Sequence, residues 1–218
     1  NAEVINSYGA TESLPISKIG SQQLLATTNI TEQGGGICVG YAINQVDIKI
    51  IKITEQNIKN WSDDLILAPF EIGEIVVKGP QVSAAYYHRE QATTQAKIKD
   101  GNSVCHRMGD LGYLDDKGKL WMCGRKAHQV LSNHLDLEKS YYSIPCERIF
   151  NTHKSIKRSA LVSIVIDDKI TPAICIEVEK RINVEQQNLF YELQEIAKIY
   201  PQTQGIELFY IHKKFPMD

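Results

Sequence analysis

The chain has 218 residues, with 24 Lys and Arg against 26 Asp and Glu, a formal net charge of -2, and 43% hydrophobic and 23% charged residues. This is globular composition; it excludes a disordered chain and leaves no general electrostatic footprint for nucleic acid. Five cysteines, odd in number, widely spaced and never in C-x-x-C, exclude a disulfide framework, and the longest apolar runs, near residues 160–166 and 171–176, are too short to span a membrane, so no transmembrane segment and a cytoplasmic setting are expected.

The chain opens with Asn1 rather than Met and runs at once into Val4-Ile5, so a natural start is not expected there. Residues 3–7 read as a short strand that stops at the polar loop Tyr8-Gly9-Ala10-Thr11-Glu12. A Ser-, Thr-, Gln- and Gly-rich stretch follows, expected to be mobile or to line a cleft. It ends in Gly34-Gly35-Gly36, a weak phosphate-loop candidate with no strand before it and no helix after it. Residues 46–53 and 74–78 read as strands, residues 91–98 as a short helix, and Asp100-Gly101 as a turn. Residues 111–114 and 119–123 flank the turn Asp115-Asp116-Lys117-Gly118 as a hairpin.

After Gly124 the pattern changes. Pro145 suits the first turn of a helix running to about residue 151, and residues 159–166 and 170–178 form a hairpin about Asp167-Asp168-Lys169. Asn183 and Gln186 resemble a capping pair for a helix bearing Leu189, Phe190, Leu193, Ile196, Ala197 and Tyr200, which Pro201 ends; residues 206–211 read as a last strand. A strand-rich first part and a small α+β module are therefore expected.

Three segments carry candidate chemistry. Residues 8–12 offer an aromatic face, a hydroxyl and a carboxylate, which suit a planar base, a phosphate oxygen and a divalent cation; an ordinary turn is the alternative. Asp110, just after Gly109, suits two ribose hydroxyls, with an Arg107–Asp110 surface pair as the alternative. Gly124-Arg125-Lys126 is a basic hinge that reaches a nucleotide, or a solvated linker. Trp61, Phe70, Tyr86 and Tyr87 are candidates for an acyl tunnel or for core filling.

In this order the segments resemble the superfamily of adenylate-forming enzymes that includes acyl-CoA synthetases, luciferases and peptide-synthetase adenylation domains. Residues 8–12 match its Y-G-x-T-E motif, Gly73-Glu74-Ile75 through Gly79 its G-E-[IL]…G segment, and Arg107-Met108-Gly109-Asp110 its [YR]-x-T-G-D. Gly124-Arg125 matches the G-R that opens the hinge, and residues 143–147 lie where the family has I-x-P-x-E. The resemblance implies a fold of α/β and α+β class, a C-terminal fragment of the adenylate-forming fold. Residues 1–124 would be the end of the large AMP-binding domain, and residues 125–218 most of the small mobile lid domain, truncated before the catalytic lysine.

It also implies ATP and Mg²⁺ as cofactors. Tyr8, with Gly9, would lie against the adenine, Thr11 would touch the α-phosphate, Glu12 would hold Mg²⁺, and Asp110 would bind the ribose with support from Arg125. The phosphate loop ending in Lys that the family carries upstream is not in these residues, and Lys213 and Lys214 come too early to serve as the catalytic lysine. The chain alone is therefore expected to be inactive. Residues 105–110, 121–128 and 144–150 are most similar to the β-lactone synthetases of bacterial long-chain olefin biosynthesis. Met108, in place of the family's Thr, and Lys126-Ala127-His128, in place of its usual pivot, depart from the wider pattern. The narrower resemblance implies a 2-alkyl-3-hydroxy acid as the carboxylic acid substrate, a β-lactone product and olefin-biosynthesis enzymes as partners. His106 and His128 are then candidate bases, or packing and surface histidines. A CoA thioester ligase, with CoA as cosubstrate, and a fatty-acyl-AMP ligase are the alternatives within the family, and a non-catalytic binding module is the alternative outside it.

Overall fold

The computed structural model describes residues 2–133, 138–179 and 185–216. Its contacts divide the chain into two compact units, one of residues 1–28 with 37–126, the other of residues 29–36 with 127–218.

The first unit is built on an eight-stranded sheet. Its strands are β1 (Ile5–Ala10), β2 (Ser13–Gly20), β3 (Ile37–Ala42), β4 (Asp47–Ile51), β5 (Gly73–Lys78), β6 (Lys97–Asp100), β7 (Ser103–Leu114) and β8 (Leu120–Arg125). They run in the order β1-β2-β3-β8-β7-β5-β4, with β6 paired to β7. The sheet is covered on both faces. Ile75 and Val77 of β5 join Ile16, Ile48, Ile50, Met108 and Leu120 on one side, while Val76 joins Ile51, Ile98 and Cys105 on the other. A strand buried on both faces reads as a continuous apolar run, as Ile75-Val76-Val77 does. Burying each such side chain contributes about 1.5–3 kcal/mol. The β7–β8 hairpin closes as its turn residues require: Asp115 Oδ1 accepts from the Lys117 and Lys119 amides, and Gly118 takes a positive φ of 77°.

Three expectations for this unit are corrected. Tyr8, Gly9 and Ala10 belong to β1, and only Thr11 and Glu12 form the turn into β2. The polar stretch after Glu12 is ordered: residues 13–20 form β2, paired to β1 and β3, followed by the short helix α1 (Ser21–Leu25). Ile16 and Ile19 face inward from a run that looks polar, and two flanking strands supply the ladder. The helix expected over residues 91–98 is shorter, α3 (Glu90–Ala96), because Lys97 and Ile98 pair in β6 instead.

In the second unit, β11 (Ile156–Ile166) and β12 (Lys169–Val178) form an antiparallel hairpin whose turn residues Asp167 and Asp168 both take positive φ, and β13 (Leu208–Ile211) lies parallel to β12. A smaller ribbon pairs β9 (Val130–Ser132) with β10 (Lys139–Tyr141). Helix α4 (Ser143–Phe150) carries Pro145 in its first turn, and α5 (Gln186–Ile199) buries Leu189, Leu193 and Ala197, a stripe at intervals of one turn. These pack with Phe150, Ile174, Ile176 and Phe209. Asn183 lies outside the described residues; the residue before α5 is Glu185, which makes no side-chain cap. The Gly34-Gly35-Gly36 run follows the short helix α2 (Thr28–Glu32) and leads into β3, the reverse of a strand–loop–helix phosphate cradle. Among the described residues no helix is long and apolar enough to cross a membrane.

Candidate functional site

Asp110 is placed by a bulge. Four steps of β7, from Arg107 to Leu111, face two of β5, from Val76 to Glu74, and within that excess Gly109 adopts a left-handed φ of 66°. Asp110 then stands directly opposite Arg125 of β8. Its carboxylate is buried, with a side-chain exposure of 6% against 57% for Arg125. Oδ2 accepts the Tyr8 hydroxyl at 2.6 Å, across 102 residues of sequence, and Oδ1 lies 3.3 Å from Arg125 Nη1. The Arg125 contact has the distance of an ion pair without the alignment of a hydrogen bond, so Oδ1 is a buried acceptor with no aligned donor among the described residues. Burial pushes the Asp110 carboxyl up, while the Tyr8 hydroxyl and the Arg125 guanidinium pull it down. The Tyr8 hydroxyl itself is driven well above the usual phenol range by burial and by the neighbouring carboxylate. The structure thus brings Tyr8, Asp110 and Arg125 together.

A second cluster forms around the β1–β2 turn. Thr11 is exposed, and Glu12 is half-buried with Oε1 accepting from the Tyr86 hydroxyl at 2.8 Å. That bond, with a backbone contact of its own, holds the Glu12 carboxyl below its usual range, so it stays an anion. Tyr86 is pushed up to about 12 by burial and by Glu12. The Ser83 amide donates to the Glu12 carbonyl at 2.8 Å, and the Ser83 hydroxyl accepts from Lys97 Nζ at 3.1 Å. His106 lies edge-on to Tyr86 with ring centroids 6.4 Å apart and its Nδ1 3.2 Å from the Ala96 carbonyl. At 3% exposure its imidazole is desolvated, and burial together with Lys97 lowers it to about 4. Glu12, with one oxygen held and a persistent charge, fits a role as a single ligand to Mg²⁺, an ion that keeps waters and substrate phosphates rather than a full protein cage. Among the described residues no three Asp, Glu, His or Cys side chains gather for a metal.

Arg107 does not pair with Asp110. Its guanidinium turns to the other side of β7, where Nη2 meets Glu74 Oε2 at 2.6 Å and the Thr54 carbonyl at 2.6 Å, and Nη1 reaches the carbonyls of Gln56 and Gln95. Lys126 Nζ joins the same group, 3.7 Å from Glu74 and 3.0 Å from Glu55. Adjacent β positions face opposite ways and the bulge shifts the register between Arg107 and Asp110, which is why two nearby charges serve different clusters. His128 belongs to the second unit and is exposed. Ser83 and Lys97 were not legible as site residues, and Tyr86 was legible only as an acyl-tunnel or core aromatic, not as the partner of Glu12. Tyr86 reads as one aromatic among several, and Lys97 falls in the span that reads as a short helix, where nothing marks it as more than a surface lysine.

No family model matches the sequence. The chain is 38% identical over 227 aligned positions to the olefin β-lactone synthetase of Xanthomonas campestris pv. campestris, covering all of this chain and 40% of that protein. It is 36% identical to the olefin β-lactone synthetase of Stenotrophomonas maltophilia, again over all of this chain and 40% of that protein. The chain belongs to the adenylate-forming superfamily. Its fold agrees: the O-succinylbenzoate coenzyme A synthetase of Bacillus subtilis, solved in complex with AMP, superposes with a TM-score of 0.73 at 23% identity over 99% of this chain and 38% of that one. This superfamily member thus spans about 40% of the length of the curated relatives it matches.

Proposed function

We propose that the full-length enzyme carrying this sequence activates a long-chain 2-alkyl-3-hydroxy acid with ATP as the acyl-adenylate and closes it to a β-lactone, releasing AMP. The observation that carries the reading is the Tyr8–Asp110–Arg125 constellation, built from the segments that match the family's nucleotide motifs, in a chain similar along its whole length to two olefin β-lactone synthetases. In this reading residues 1–124 are the end of the large AMP-binding domain and residues 125–218 are part of the mobile lid.

Asp110 supplies a buried carboxylate whose Oδ1 accepts from a ribose hydroxyl while Tyr8 and Arg125 fix its orientation. The Tyr8 ring lies along the adenine, Thr11 donates to the α-phosphate and Glu12 holds Mg²⁺, whose charge screens the phosphates as the acid's carboxylate approaches phosphorus. Closure of the lactone is intramolecular, so the 3-hydroxyl attacks its own activated carbonyl without a second substrate. In that step the hydroxyl oxygen bonds the carbonyl carbon, the bond from that carbon to the AMP phosphate oxygen breaks, and the hydroxyl proton passes to solvent. His106, neutral and sealed at 3% exposure, is a packing histidine in this reading, and the exposed His128 is the freer imidazole. The 218 residues alone supply the adenosine side but only Thr11 and Glu12 toward the phosphates, so they are expected to give no ATP–pyrophosphate exchange by themselves.

Mass analysis of products tests the reading: the full-length enzyme with ATP, Mg²⁺ and a long-chain 2-alkyl-3-hydroxy acid is expected to release AMP and the lactone equally with and without CoA. Formation of an acyl-CoA only when CoA is present would replace it with a thioester ligase.

A further inference from the structure

Lys97 has no place in the nucleotide contacts described above. It is the first residue of β6, 9% exposed, and its ammonium makes one hydrogen bond, to Ser83 Oγ at 3.1 Å, with the Tyr86 ring centroid 5.5 Å away. Among the described residues no carboxylate lies within 4 Å of Nζ, whereas the other strongly buried cation, Arg107, has Glu74 at 2.6 Å. An ammonium carries three donors, and a buried charge without a counter-ion is costly enough that folds normally pair it. Removing Lys97 from water is thus offset only in part, by the Tyr86 ring and by the charge of Glu12 beyond 4 Å, and an arriving anion would complete the compensation.

The location narrows the class of anion. Ser83 holds Lys97 through its hydroxyl and Glu12 through its amide, and Tyr86 lies against Lys97 with its ring and bonds Glu12 with its hydroxyl. Two residues therefore tie the buried ammonium to the turn that carries Thr11 and Glu12. We infer that Lys97, supported by Ser83 and Tyr86, is an oxyanion subsite of the reaction centre, holding a charged oxygen of a reactant. The inference rests on the reading of Thr11 and Glu12 as the phosphate-facing turn. Two reactants carry that chemistry, the carboxylate of the acid and the phosphates of ATP or pyrophosphate.

The test uses the full-length enzyme with Lys97→Met, which keeps the apolar stem and removes the charge, and Lys97→Arg, which keeps the charge. Equilibrium binding is measured separately for inorganic pyrophosphate and for the long-chain 3-hydroxy acid, with urea midpoints for each variant. Lys97→Met is expected to weaken one of the two ligands about tenfold or more and leave the other within about threefold, the scale of one charge-assisted hydrogen bond, with an unchanged or raised urea midpoint. Lys97→Arg is expected to retain binding within about threefold. Loss for the acid alone identifies the carboxylate as the anion, and loss for pyrophosphate alone the phosphate. Unchanged binding of both ligands overturns the subsite, as does a parallel loss of both with a lowered midpoint, the mark of a structural lysine. If Lys97→Met does not fold, Ser83→Ala removes the lysine's one hydrogen-bond support and is expected to weaken one of the two ligands and not the other; no effect on either overturns the inference. The outcome separates from the product assay: lactone formation with normal binding in Lys97→Met removes the subsite alone, and selective loss of oxyanion binding in an enzyme that makes acyl-CoA removes the lactone reading alone.

Discussion

His106 provides the sharpest quantitative expectation. Burial lowers its imidazole from 6.5 to about 4, so the unfolded chain takes up a proton between these values that the folded chain refuses. Stability from this residue is therefore fully present above about pH 6.5 and is lost as the pH falls toward 4. The linkage relation gives a loss of about 2 kcal/mol at pH 5 and about 3 kcal/mol at pH 4, relative to pH 8. His106→Asn removes the titration and keeps an amide donor for the Ala96 carbonyl. Its cavity lowers stability at every pH, but the difference between variant and wild type is expected to shrink by about 2 kcal/mol between pH 8 and pH 5. Both tryptophans, Trp61 and Trp121, lie in the first unit, so their fluorescence in urea titrations reports the unit that contains His106. Subtracting the variant cancels carboxylate titrations that do not couple to His106, such as that of Asp110. A constant difference across the pH range, or an imidazole resonance titrating near the ordinary histidine value, would refute the burial argument and restore His106 as a candidate base.

Two further outcomes follow from the strands that hold Asp110. Arg107→Met leaves the buried Glu74 carboxylate with only the more distant Lys126 and is expected to cost about 3–5 kcal/mol in urea unfolding, with Glu74→Leu in the same chain restoring part of the loss; an effect under about 1 kcal/mol would show the pair to be solvated. Gly109→Ala meets no atom within 4 Å of the added Cβ, so its expected cost of about 1–2 kcal/mol is the left-handed backbone alone. Because that backbone aims Asp110, AMP binding by the full-length enzyme is expected to weaken as well; unchanged binding would free Asp110 from dependence on the bulge.

Features that depend on neighbours along the chain were legible in the residues alone. The turns at Asp115–Gly118 and Asp167–Lys169, the proline in the first turn of α4 and the apolar stripe of α5 are local choices of dihedral angle and periodicity, and each is found where the residues place it. The order of the family motifs was legible too, because spacing survives in one dimension. Where order depended on long-range pairing, local reading failed: residues 13–20 look like a polar loop until β1 and β3 offer them a ladder, and Lys97 looks solvated until β7, Ser83 and Tyr86 close over it. The packed sheet, and nothing local, turns Arg107 from Asp110 to Glu74, brings the Tyr8 hydroxyl to a carboxylate 102 residues away and sets Tyr86 on Glu12. Sheet curvature, strand register and the bulge at Gly109 set those distances, and these arise from the packing of many strands at once, which no local stretch of the chain encodes.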